Sequence, residues 1–162
     1  IEDSPKTAFT NTWFPFWKKL TEKLWKSNLI TLDDQKYWAL NRLANHGGTQ
    51  QWLCGKRFSH ILVDEFQDIN ILDLFLISQI ALVTEASLII VGDDDQCIYE
   101  WRGCTSLFIQ RPDLFFEAVL GNQEFETVLL KRNYRCPHNI VIHSKHLINT
   151  NQDRITKDTV PM

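Results

Sequence analysis

Residues 61–95 read ILVDEFQDINILDLFLISQIALVTEASLIIVGDDD. Two short runs rich in branched side chains, Ile61–Val63 and Leu88–Val91, each stop at acids, and Ile71–Val83 between them is apolar without a helix breaker. Strand, helix and strand in that order form a βαβ unit, with a right-handed crossover and both strands parallel and buried. Such units take ligands at the carboxyl ends of their strands. Asp64-Glu65 and Asp93-Asp94-Asp95 occupy those two ends and lie close together if the strands pair. Three consecutive carboxylates repel one another, so the fold has to meet them with a cation, backbone donors or a ligand.

Downstream, Thr127–Leu130 is a third candidate strand. It leads into Lys131-Arg132-Asn133-Tyr134-Arg135, and Pro137 then opens a helix to about Asn149. Beyond Asn151 the chain is polar and is expected to fray. Upstream, Trp13, Trp17, Leu20 and Leu24 recur at helical spacing, with Lys18, Lys19, Lys23 and Lys26 largely on other faces, so a helix starts near Pro15. That lysine face reads as solvated rather than as a DNA track. Thr31 with Asp34 resembles a capping box for a second helix, Leu32–Asn45, which His46-Gly47-Gly48 stops; Gly47–Gln51 reads as its exit loop. These helices form a small unit that packs on something else.

With 162 residues and 44% hydrophobic content, the chain has enough apolar mass for a folded core, which excludes disorder as the default. Acids outnumber bases by 20 to 17, so DNA binding has to come from local placement rather than overall charge. Cys54, Cys97, Cys104 and Cys136 show no CxxC spacing, which favours free thiols and a cytoplasmic location. The sequence contains neither a membrane-length apolar run nor a secretory leader. A start at Ile1 suggests a piece of something longer.

An apolar strand ending in Asp-Glu suits nucleotide hydrolysis. One carboxylate, Asp64, holds Mg²⁺ through water, and the next, Glu65, orients and deprotonates the attacking water. Gln96 both donates and accepts, which suits a sensor of the γ-phosphate. Trp101, flanked by Glu100 and Arg102, is either a core anchor or a platform for an unstacked base, and spacing alone favours the core.

Val63-Asp-Glu-Phe-Gln-Asp68, Val91-Gly-Asp-Asp-Asp-Gln-Cys-Ile-Tyr-Glu-Trp-Arg-Gly103 and Leu130-Lys-Arg-Asn-Tyr-Arg135 resemble, in order and spacing, three signatures of the UvrD/Rep-like superfamily 1 DNA helicases. The resemblance covers about residues 58 to 145. It implies an α/β chain: a partial RecA-like P-loop NTPase fold with parallel strands, preceded by a small helical insertion. On that reading 1–57 ends the insertion, 58–125 is the C-terminal half of the first RecA-like domain and 126–162 begins the second.

The function implied is ATP-driven movement, typically 3′ to 5′, on single-stranded DNA or at a single-strand/duplex junction, with ATP and Mg²⁺ as cofactors and no membrane partner. Asp64 would act on Mg²⁺, Glu65 as catalytic base, Gln96 as γ-phosphate sensor and Arg135 as an arginine-finger-like contact. Trp101 would stack on a base, with Tyr99 supporting that turn and Arg102 grouped with them on DNA, which reverses the core preference for Trp101. Cys97, Cys104 and Cys136 stand where the family has other small residues. No GxxxxGK[ST] phosphate loop occurs, so the chain looks like a middle slice that should not hydrolyse ATP by itself.

Two other classes compete. Asp64, Glu65, Asp68 and Asp93–Asp95 suit a two-cation nuclease, although that reading gives Gln96 and Arg135 no role. A degenerate, non-catalytic ATPase scaffold is the other, and the intact Asp64-Glu65 pair argues against it. Cys136, His138, His143 and His146 have a weak metal-ligand pattern, more simply read as packed or solvated side chains.

Overall fold

In the computed structural model, which describes residues 9–45, 58–121 and 124–162, strands β1 (His60–Val63) and β2 (Ser87–Ile90) pair in parallel, Ile61 opposite Leu88 and Val63 opposite Ile90. Helix α3 (Ile71–Thr84) connects them, as the apolar pattern predicts. Its start is fixed chemically. Asn70 Oδ1 accepts from the Leu72 and Asp73 N–H groups, and Asp73 Oδ2 accepts from the Asn70 N–H at 3.1 Å, a complete capping box. Leu74, Ser78 and Ala81, spaced four and three apart, turn one face of the helix inward.

The core gathers on one side of the strand pair. Phe66 and Phe116 are fully buried with ring centroids 6.1 Å apart, and Ile69, Leu74 and Phe108 complete the cluster. Phe108 lies on α4 (Leu107–Gln110) and Phe116 on α5 (Pro112–Leu120). The expectation that both strands are buried fails on the other side. Leu62, Ile89 and Val91 are exposed while Val63, Leu88 and Ile90 pack on the core, because the described residues supply helices to only one face of this two-stranded sheet.

Upstream, a π-helical turn (Phe9–Trp13) leads into α1 (Phe14–Lys26), with Pro15 in its first turn, and α2 (Leu32–Asn45) follows. Half of the expected capping box forms: Thr31 Oγ1 accepts from the Asp34 N–H at 3.0 Å. The expected stop at His46–Gly48 and the exit loop to Gln51 lie outside the described residues. Trp25 meets Trp38 edge-on at 4.9 Å, and Lys36 pairs with Asp73 at 2.7 Å, which docks α2 on α3. The lysines of α1 are solvent-facing as expected, and so are Trp13, Phe16 and Trp17.

The third strand is not where apolar content suggests. Thr127–Leu130 is irregular, with Val128 and Leu130 exposed, and pairing occurs further on: β3 (Arg132–Asn133) runs parallel to β4 (Val160–Pro161). β-propensity does not by itself supply a partner strand, whereas the backbone of 131–133 finds one in the C-terminal residues. Helix α6 (His138–Ile148) begins just after Pro137 as expected. The frayed tail beyond Asn151 is likewise corrected, since Arg154, Ile155 and Lys157 are bound to the acids after β2.

Candidate functional site

The parallel register sets Asp64-Glu65 beside Val91-Gly92. Val91 N–H donates to Val63 O at 2.8 Å, and Phe66 N–H donates back to Val91 O at 2.9 Å. Between these bonds the chain turns sharply, and Glu65 adopts left-handed backbone angles (φ 51°, ψ 44°). A residue with a Cβ reaches that region only at a cost, and such strain concentrates where geometry serves a function. Asp64 Oδ1 steadies the turn by accepting from the Glu65 N–H at 2.9 Å. Both carboxylates are exposed.

Gln67, buried behind them with 2% of its surface exposed, ties the two strand ends together. Its Nε2 donates to Glu65 Oε2 at 2.7 Å, and its Oε1 accepts from the Asp93 N–H at 3.0 Å. The chain passes close by at Gly92, where any Cβ would stand 2.4 Å from Gln67 Oε1. Past Gly92, Asp93 caps a short 3₁₀ turn (Asp94–Gln96) by accepting from the Asp95 N–H, and Gln96 Nε2 donates to Asp93 Oδ2 at 2.7 Å.

The three acids are met from within the chain. Arg154 forks onto Asp95 through Nε at 2.8 Å and Nη2 at 2.5 Å. Lys157 contacts the carboxylates of Asp93, Asp94 and Asp95. Asp94, almost fully buried, also accepts from the Ile155 N–H at 2.7 Å and from Gln110 Nε2 at 3.2 Å. Burial works against ionisation of Asp93, but Lys157 together with Gln96 and the Asp95 N–H outweighs it and holds the carboxyl below its ordinary value. Asp95 is lowered in the same way against its burial by Arg154 and Lys157. Burial likewise opposes the charge on Lys157, yet the three acids raise it. One oxygen from each of these acids lies within 4.8 Å of the others, a metal-like grouping in which the Lys157 ammonium already supplies positive charge. Cys136, His138, His143 and His146 form no such group among the described residues.

Trp101 is 80% exposed, so the core reading favoured by spacing is overturned. Gly103, with φ 81°, ends the short turn that carries it. The Arg102 guanidinium lies 5.7 Å from the Tyr99 ring centroid and 5.9 Å from that of Trp101, and the two rings sit 6.4 Å apart. Trp101 therefore stands as a braced aromatic surface a few residues beyond Gln96. Arg135 stands apart: its N–H is held by Asn133 Oδ1 at 3.0 Å, and among the described residues no hydrogen bond ties its guanidinium to the strand-end network.

The structure places Asp64 and Glu65 after β1 and Gln96 and Trp101 in the turns after β2; Gln67, Arg154 and Lys157, which bind this network, were not singled out from sequence. Only Gln67 carried a local signal, its place inside the Asp64–Asp68 motif.

The fold and site define an α/β protein whose polar centre lies at the carboxyl ends of parallel strands. The chain belongs to the UvrD/REP helicase N-terminal domain family, which it matches over residues 2–116. It is 44% identical to DNA helicase II of Haemophilus influenzae over 64% of this chain and 13% of that protein. With the ATP-dependent DNA helicase Rep of Buchnera aphidicola it shares 33% identity over 84% of this chain and 20% of that protein. With the ATP-dependent DNA helicase srs2 of Schizosaccharomyces pombe the figures are 29%, 97% and 16%. The chain thus spans a fifth or less of the length of these relatives. No helix among the described residues is long and apolar enough to cross a membrane.

Proposed function

We propose that this chain is the part of an ATP-dependent DNA helicase that joins nucleotide hydrolysis to a single-stranded DNA contact. The observation that carries the reading is the direct linkage from Glu65 through Gln67 to Asp93 and Gln96, five residues before the exposed Trp101. The family and the names of its relatives point to ATP and DNA. The parallel strand pair with one uncovered face is the arrangement expected of a slice from a larger RecA-like sheet. Residues 1–57, 58–125 and 126–162 then correspond to the end of an insertion, the C-terminal half of the first RecA-like domain and the start of the second.

In this reading Glu65 accepts a proton from the attacking water, and its exposed position at the strand end leaves it open to solvent and substrate. Asp64, exposed and with one oxygen oriented by the Glu65 N–H, fits a water-mediated hold on Mg²⁺. That ion would supply charge neutralisation of the phosphates. Gln96 exchanges its bond to Asp93 for one to the γ-phosphate and so reports whether the nucleotide is intact. Arg135 reaches the γ-phosphate when the two domains close. Trp101 stacks on a DNA base, with Tyr99 and Arg102 bracing it, and movement runs 3′ to 5′ on a single strand or at its junction with duplex. The three described free cysteines suit a cytoplasmic setting. The 162-residue chain alone, lacking a phosphate loop, does not turn over ATP.

The test is ATP hydrolysis by the full-length protein, wild type against Glu65→Gln, with and without single-stranded DNA. DNA-stimulated turnover in the wild type and a loss of about 100-fold or more in the variant are expected for removal of a general base. Equal turnover in both removes Glu65 from the base role. DNA binding without turnover in either identifies a non-catalytic scaffold, and Mg²⁺-dependent DNA cleavage without ATP identifies a nuclease.

A further inference from the structure

Glu65 has a long side chain on an exposed turn, and nothing in its own backbone fixes where its carboxylate points. We propose that Gln67 is the positioning residue of the catalytic base: its amide pins one oxygen of Glu65 while gripping the backbone that begins the Asp93–Gln96 turn. This inference rests on the hydrolytic reading of Glu65. Three observations carry it. Gln67 is among the most buried side chains of the chain, yet it is polar. Both ends of its amide are satisfied, and by two different strand ends: Glu65 Oε2 at 2.7 Å and the Asp93 N–H at 3.0 Å. A buried amide with each end bonded has one orientation, since reversing it would face oxygen to carboxylate and NH₂ to N–H. Finally, the close approach of Gly92 leaves that site open only because Gly92 has no Cβ.

The arrangement has two consequences for hydrolysis. Holding Oε2 leaves Oε1 as the oxygen presented to water, which selects one geometry of the base from many rotamers. Gripping the Asp93 N–H with the same rigid amide sets the spacing between the base and the turn that carries Gln96. A displacement of either strand end would therefore be felt at the other.

Gln67→Glu separates this role from a merely structural one. The carboxyl group is nearly isosteric and can still accept from the Asp93 N–H, but beside Glu65 in a buried site it donates only while protonated, so its effect should deepen as pH rises. In the full-length protein Gln67→Glu is expected to lower kcat for ATP about 100-fold with KM little changed, as for a misplaced reacting group. Hydrogen–deuterium exchange across residues 92–96 should stay as slow as in the wild type. Gln67→Met keeps the volume and loses both bonds; it should show the same fall in kcat together with faster exchange there.

A wild-type kcat in Gln67→Met, or in Gln67→Glu at every pH measured, overturns the inference while leaving Glu65 as the base. A fall in kcat that appears only alongside faster exchange in both variants assigns Gln67 a structural role and overturns the positioning role. A wild-type protein that does not hydrolyse ATP overturns the hydrolytic reading and this inference with it.

Discussion

Asp64 and Glu65 leave β1 exposed and meet no lysine or arginine among the described residues, whereas Asp93, Asp94 and Asp95 leave β2 and are held by Lys157 and Arg154. Both acidic groups stand at the carboxyl ends of paired parallel strands, where ligands are expected. Their charge is handled in opposite ways. At the first, negative charge remains available to a metal or a proton. At the second, the chain supplies its own counter-charge, and the carboxylates serve as anchors that shape the turn before Gln96. Proximity and residue type therefore do not define a cation site; the location of the balancing charge does.

Lys157 carries most of the difference between the two acidic groups. Lys157→Met leaves three carboxylates facing one another, one of them almost fully buried, and removal of the shared cation from this partly buried cluster costs up to about 3 kcal/mol. The expected outcome in the full-length protein is a lower melting temperature and faster proteolysis within 152–158, where Ile155 and Arg154 are bound to the same acids. Added Mg²⁺ should recover part of the loss by replacing the ammonium. Wild-type stability in Lys157→Met would show that the second acidic group needs no internal cation, and the contrast would collapse.

A smaller effect is expected at Trp101, in the turn that follows the second acidic stretch. Its ring is open to solvent and braced by Arg102 against Tyr99, so Trp101→Ala removes no core packing. If Trp101 stacks on a base as proposed, the full-length protein's affinity for single-stranded DNA should fall by about 1–3 kcal/mol, the value of one base stacked on an aromatic ring, with the melting temperature unchanged. Unchanged DNA affinity with a lower melting temperature would make Trp101 a structural residue, and the turn after β2 would then be scaffold throughout.

What sequence reading captured follows the range of the interactions involved. The βαβ unit was legible because its signals are local: two short branched runs, an apolar helix between them, and acids at the strand exits. The capping of α2 by Thr31 was legible for the same reason. The partners of the acids were not, since Lys157 lies more than sixty residues beyond Asp93 in a polar stretch that composition alone assigns to a frayed end. Thr127–Leu130 has the residues of a strand, but a strand also needs a neighbour, and the pairing formed at Arg132–Asn133 instead. Trp101 shows the same limit. Whether a tryptophan is buried depends on what packs over it, which spacing along one turn does not encode.

The subtlest test concerns pH, and its sign follows from the direction of each shift. Asp93 and Asp95 ionise more readily than ordinary carboxyls, because Lys157, Arg154 and their hydrogen-bond donors outweigh burial. The stability they contribute is therefore present above the ordinary carboxylate value of about 4 and is lost as pH falls through their lowered folded values. Lys157 is shifted upward, so its contribution is complete below its ordinary value of about 10.4 and is lost only as pH rises through the raised folded value. Between these limits the contact between tail and turn is insensitive to pH. The difference in melting temperature between wild type and Lys157→Met should be largest above neutral pH and should shrink as pH falls, because the variant's unpaired carboxylates, crowded and partly buried, take up protons before those of the wild type do. A maximum or a break between about pH 5 and 9 in the wild type's own resistance to proteolysis within 152–158 would instead show that a group other than Lys157, Arg154 and the three acids sets this contact. Such a break would place control of the second acidic group outside the Lys157–Arg154 cluster, and the distinction between an open and an internally balanced strand end would have to be redrawn around that group.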